Sequence, residues 1–322
     1  MMKWNIGILV LGLVLFCRGL NGYAQLAGDH LLGDFGLAAG TQAPPSLVLA
    51  LPLYDYYANR FIDADGNRTG GFSSNVFLLG LGANIVTNFR IFNANYGAGL
   101  LFSFVGNMTE GSGMDSQSSF AFSDTYVQPI QLGWHWERAD LTVGYALYIP
   151  TGKYELGGSD NGGLGMWTNE FSVGTTIYLD KKKTLNFSMI AFYEIHSRKR
   201  NTDIRVGDIL TFEGGLAKTF SIDMAKTPIP MEISLGPVYY AQFKITGDTI
   251  PAGSPDLTLD KDRIFGLGLE ANILIPQTLT SISFRWLAEL GARNRVEGNT
   301  FILTVGQFVL SLEKDKPGSQ DK

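Results

Sequence analysis

Residues 231–246 read MEISLGPVYYAQFKIT. Met231, Ile233, Leu235, Tyr239, Ala241, Phe243 and Ile245 form one apolar row. Glu232, Ser234, Gly236, Gln242 and Lys244 fall between them. Side chains alternate across a strand but recur every 3.6 residues along a helix, so a period of two held this long marks a β-strand. The stretch exceeds the ~5–6 residues of an average strand and reaches the ~9–11 residues that a tilted strand needs to cross a bilayer.

The same alternation recurs along most of the chain. Trp167, Phe171, Val173, Ile177 and Leu179 oppose Thr168, Glu170, Ser172, Gly174 and Thr176. Phe265, Leu267, Leu269, Ala271 and Ile273 oppose Gly266, Gly268, Glu270 and Asn272. Ile282, Phe284, Trp286 and Ala288 oppose Ser281, Ser283, Arg285 and Glu289. Segments of this kind begin near Ser46, Phe72, Asn93, Ser123, Leu141, Trp167, Thr184, Asp208, Met231, Arg263, Leu279 and Thr300. Long connections (58–71, 106–121, 150–166, 197–207, 247–262 and 291–299) alternate with short ones (88–92, 138–140, 180–183 and 276–278). Residues 221–230 are a longer exception. Short turns at one end and long loops at the other are the pattern of outer-membrane barrels. The expected fold is all-β: a transmembrane antiparallel up-and-down β-barrel of about twelve strands. Tyr126, Trp134 and Trp136 are expected in the aromatic girdles at its rims.

Composition narrows the classes further. The chain has 322 residues, of which 45% are hydrophobic and 17% charged, with net charge −5. That is too apolar for disorder and too acidic for a nucleic-acid footprint. One cysteine cannot make an internal disulfide. Met1-Met2-Lys3-Trp4, an apolar run from Ile6 to Phe16 and the small residues at 22 and 24 read as a signal peptide over 1–24. Residues 25–45 are a periplasmic lead-in or a small plug, 46–312 the barrel, and 313–322 a polar tail.

Charges on the polar faces are costly in hydrocarbon, about 2–4 kcal/mol each at mid-bilayer, so they should line an inner space. The candidates for lining it and contacting a solute are His135, Glu137, Glu170, Glu194, His196, Glu213, Glu232, Gln242, Lys244, Glu270, Arg285 and Glu289, with Gln131 and Asn272 beside them. No HExxH or paired His/Cys spacing suggests a metal, no G-x-S-x-G suggests a hydrolase, and no cofactor is expected. Asp63-Ala64-Asp65-Gly66-Asn67 reads as a turn, since no Glu closes a calcium loop. Ser197-Arg198-Lys199-Arg200 is either a phosphate-binding patch for lipopolysaccharide or an ordinary charged loop.

The order of several short motifs then points to a family. They are Gly40-Thr41-Gln42-Ala43-Pro44-Pro45; Tyr54, Tyr56 and Tyr57; Asp65-Gly66-Asn67; and Tyr148-Ile149-Pro150-Thr151-Gly152-Lys153-Tyr154 with Trp167. Next come Gly207-Asp208, Phe212-Glu213-Gly214, Gly236-Pro237-Val238-Tyr239-Tyr240 with Gln242, Phe284-Arg285-Trp286 and Ala292-Arg293-Asn294-Arg295. In this order the chain resembles the outer-membrane family described as "protein involved in meta-pathway of phenol degradation". The resemblance implies a non-enzymatic channel or transporter for small, aromatic or hydrophobic, compounds, with outer-membrane lipid, lipopolysaccharide and a small solute as partners. A structural or surface-interaction barrel with a closed lumen is the alternative, and an outer-membrane lipid hydrolase a more distant one.

Overall fold

The computed structural model describes residues 27–312, except 70, 72, 111–115, 157, 159, 224–228 and 252–260. The expected signal peptide and polar tail lie outside the described residues. Among the described residues fourteen strands follow one another: β1 (Ser46–Ile62), β2 (Arg68–Thr69), β3 (Ser73–Ile91), β4 (Ala94–Glu110), β5 (Ser116–Phe122), β6 (Thr125–His135), β7 (Ala139–Ile149), β8 (Thr168–Tyr178), β9 (Leu185–His196), β10 (Ile209–Ile222), β11 (Met231–Lys244), β12 (Arg263–Ile275), β13 (Thr280–Arg293) and β14 (Arg295–Ser311). β1 pairs with β14 from Ser46↔Ser311 to Ile62↔Arg295, which closes the sheet. Twelve strands form the closed antiparallel wall. β2 extends the β1 edge, and β5 pairs with the far part of β4 while β6 pairs with its near part.

Closure follows from the alternation. Phe171, Val173, Ile177, Leu267, Leu269, Phe284 and Trp286 are exposed on the outer face. Their neighbours in sequence, Glu170, Ser172, Glu270, Arg285 and Glu289, are buried inside. A closed sheet satisfies every backbone group of its wall, so it can present an apolar exterior to lipid.

Two connections and one girdle residue differ from the sequence reading. Residues 106–121 are mostly strand, because β4 runs on to Glu110 and β5 begins at Ser116. Residues 291–299 are a tight reversal at Asn294, whose φ of 52° suits a residue tolerant of the left-handed region. Tyr126 is not in the girdle. The register shifts between Val127 and Ile130 around Pro129, which offers the ladder no N–H. That bulge turns Tyr126 and Gln128 inward on the near side and leaves Ile130 exposed beyond it. Also at the long-loop end, residues 63–67 form the expected turn: the Asp63 carboxylate accepts the Asn67 N–H at 2.7 Å.

Candidate functional site

Residues 27–45 run through the barrel. Asp29 bonds the Thr168 hydroxyl at the long-loop end of β8, and Pro45 bonds Leu312 at the short-turn end. The segment has no strand and makes few bonds with itself: Asp34 N–H to Leu31 O, Ala39 N–H to Gly36 O, and Thr41 N–H to Ala38 O. A buried backbone needs partners for its remaining polar groups. The wall supplies them.

Three carboxylates take the segment's N–H groups. Glu194 Oε1 accepts those of Asp29 (2.9 Å) and His30 (3.0 Å). Glu213 accepts those of Gly33 (2.6 Å) and Phe35 (2.8 Å). Glu270 accepts that of Leu37 at 3.0 Å. The carbonyls are met from the other side: Arg285 donates to Gly33 O and Asp34 O while its Nε pairs with Glu270 at 2.9 Å, and Ser188 donates to Gly36 O. His30 is seated between two acids, with Nδ1 2.7 Å from Glu170 and Nε2 3.3 Å from Glu213. Bonds of this kind, with one partner ionised, are the stronger class.

Apolar contacts complete the seat. Leu32 and Leu37 pack with Ala217, Val238, Tyr240, Ile264 and Leu287. Ala39 and Phe35 pack on Ile190 and Phe192. The approach is close enough to require glycine: a Cβ on Gly36 would lie 1.9 Å from Glu270 Oε2, and one on Gly40 2.1 Å from the Thr175 backbone. Lower down, Gln42 donates to Gln131, and Thr41 to Asp140.

From Asp29 to Gly40 the contacts named above fall on β8 to β13. Between the segment and β1, β3, β4 and β6 a cavity of about 350 Å³ stays open. Pro52, Leu78, Leu100 and Leu101 give it an apolar wall, Gly82 and Gly99 give it width, and Asn84 and Gln128 give it amides. Tyr126 and Tyr148, with ring centroids 5.0 Å apart, flank it near Glu170. Leu31, Asp34 and Phe35 of the segment face it.

The long-loop end is partly roofed. Asp124 accepts the N–H groups of Gly152 and Leu164, and Lys199 donates to Leu164 O at 2.8 Å. Lys244 pairs with Asp248 and Asp262, and Arg295 with Asp262. The basic run at 197–200 is largely engaged here. Arg198 pairs with Asp203, Lys199 is buried, and Arg200 donates to Pro150 O.

The residues singled out from sequence therefore separate. Glu170, Glu194, Glu213, Glu270 and Arg285 converge on the segment. Glu289 ties the wall together, accepting from the Tyr56 and Tyr240 hydroxyls and from Gly298 N–H. Gln242 bonds Thr211 and Arg295, and His196 Nδ1 donates to Gly207 O. His135 pairs with Asp140 at the short-turn end. Glu137 stands exposed in the turn after β6, because that strand ends at His135. Glu232 is exposed at the short-turn end of β11, and Asn272 sits between Ser234 and Ser283. Residues that line the cavity on β1, β3 and β4 were not among the candidates. They are small or apolar, and only their position on the inward face of each strand distinguishes them.

Against known proteins, the family model described as "Putative MetA-pathway of phenol degradation" matches residues 58–305. Among solved structures, an outer membrane channel from Pseudomonas putida F1 aligns with a TM-score of 0.69 at 12% identity, over 87% of this chain and 99% of that one. The β domain of the Bordetella autotransporter BrkA aligns with a TM-score of 0.47 at 10% identity, over 82% of this chain and 99% of that one. No curated protein matches the chain. At such identity the first likeness is one of fold, and with the closed apolar-faced wall it places the chain among the outer-membrane barrels.

Proposed function

The chain belongs to the phenol-degradation MetA-pathway family, and we propose on that premise that it is a channel passing small aromatic or hydrophobic compounds across the outer membrane. The observation that carries this reading is the off-centre cavity. Its volume suits a single-ring solute, and its apolar wall with a few amides, hydroxyls and carboxylates has the character of a small-molecule site. The charged groups of the opposite half hold the segment in place, and the segment narrows the barrel to this space. A solute would move along the Pro52–Leu78–Leu101 wall, exchanging water for contact with Tyr126 and Tyr148. Selection is by size and by hydrogen bonding, with no covalent chemistry. The long loops face outward and the short turns face the periplasm, with lipid against the apolar belt.

Reconstituted protein tests this. Single-channel current and the swelling of proteoliposomes in a single-ring solute are expected for the full chain. Gly82→Leu should cut both several-fold, because it fills the cavity. A Cβ on Gly82 would meet nothing closer than 3.4 Å, so the fold should survive. Absence of current and flux in correctly inserted protein would overturn the reading. It would favour instead a closed barrel acting through its loops, which the dense clamp on the segment would suit.

A further inference from the structure

Among the described residues four acids line the cavity, Asp29, Asp34, Asp124 and Glu170, and no lysine or arginine does; His30, seated between Glu170 and Glu213, is the one basic side chain in its lining. Three of these acids are engaged. Asp29 accepts from the Thr168 hydroxyl, Asp124 from two backbone N–H groups, and Glu170 from His30 and the Tyr148 hydroxyl.

Asp34 differs. Among the described residues its carboxylate accepts no hydrogen bond, and its side chain is open to the cavity. Its main chain is fixed at every side: its N–H bonds Leu31 O, its carbonyl accepts from Arg285 at 2.7 Å, and the flanking Gly33 and Phe35 are held by Glu213. Arg285 pairs with Glu270 and does not line the cavity. Tyr126 lines the same cavity. A rigidly mounted free carboxylate thus faces an apolar wall across a narrow space, beside an aromatic face. An anion entering there meets like charge with little water to screen it, whereas a cation meets an opposite charge and a ring.

We propose that Asp34 sets the charge selectivity of the passage: neutral and cationic solutes are admitted, and carboxylates of the same size are excluded. This rests on the channel reading above and extends it to the class of solute. Substrates would carry an amine, hydroxyl or other donor at the polar end.

Two measurements on the full chain test the inference. In planar bilayers, reversal potentials give the permeability of benzyltrimethylammonium relative to benzoate, two ions built on one ring. The expected ratio is at least about tenfold in favour of the cation, the effect of a potential of a few kT. Asp34→Asn should bring it toward unity, and Asp34→Lys should invert it. In detergent, calorimetric titration with the same two ions requires no transport. The cation should again bind about tenfold more tightly, and Asp34→Asn should abolish the difference. No current together with this binding difference would remove the channel reading and leave the selectivity site. Equal permeability or binding of the two ions in the unaltered protein, or a preference unchanged in Asp34→Lys, would overturn the inference alone.

Discussion

The two halves of this barrel are built from the same alternating strands and do opposite things with their inner faces. From β8 to β13 the interior is crowded, with Glu170, Glu194, Glu213, Glu270 and Arg285 gripping residues 29–37 and Leu32, Leu37 and Phe35 packed between them. From β1 to β6 the inner face is Val48, Ala50, Pro52, Gly82, Gly99 and Leu101, and a cavity remains. The charged side is the anchor, and the plain side leaves the cavity open. On this side the lumenal charges hold a segment of chain whose backbone needs partners, and Glu170 lines the cavity as well.

Removing an anchor should have the largest effect. Glu213→Ala strands the N–H groups of Gly33 and Phe35 and one nitrogen of His30, each orphan costing about 1–3 kcal/mol. The segment should leave its seat, with fast hydrogen exchange over residues 29–37 and a severalfold rise in conductance. Unchanged exchange there would erase the distinction between the halves.

A pair of identical changes sharpens it. Gly36→Ala drives a methyl into Glu270 and Arg285, which should lower stability by about 1–3 kcal/mol, read as a shift in denaturant midpoint. Gly82→Ala, facing the cavity, should stay within about 0.5 kcal/mol. Similar shifts for both would mean that the two sides are equally packed.

The smallest effect is at His30. Its ring bridges Glu170 and Glu213, and His30→Gln, which keeps the backbone bonds of the segment, should raise hydrogen exchange over residues 29–37 only a few-fold.

Much of the wall was legible in residues 231–246 and their like, because alternation is a local property: neighbours in sequence take opposite faces, and twelve such strands with an apolar outer row can bury their edges only by closing. Even there, the bulge at Gln128–Pro129 reversed the side on which Tyr126 falls, since a register shift depends on the partner strand. The acids from Glu170 to Glu289 were legible as inward-facing, and what they hold was not. Residues 27–45 carry no periodicity. Their partners lie 140 residues away at Glu170 and 251 away at Arg285, so the choice between a lead-in below the barrel and a chain within it depended on contacts that no local pattern encodes. The strands, their faces and the family were written in the chain. Which half of the lumen is filled and which is left open was decided only when the closed wall brought those distant carboxylates around one stretch of unpaired backbone.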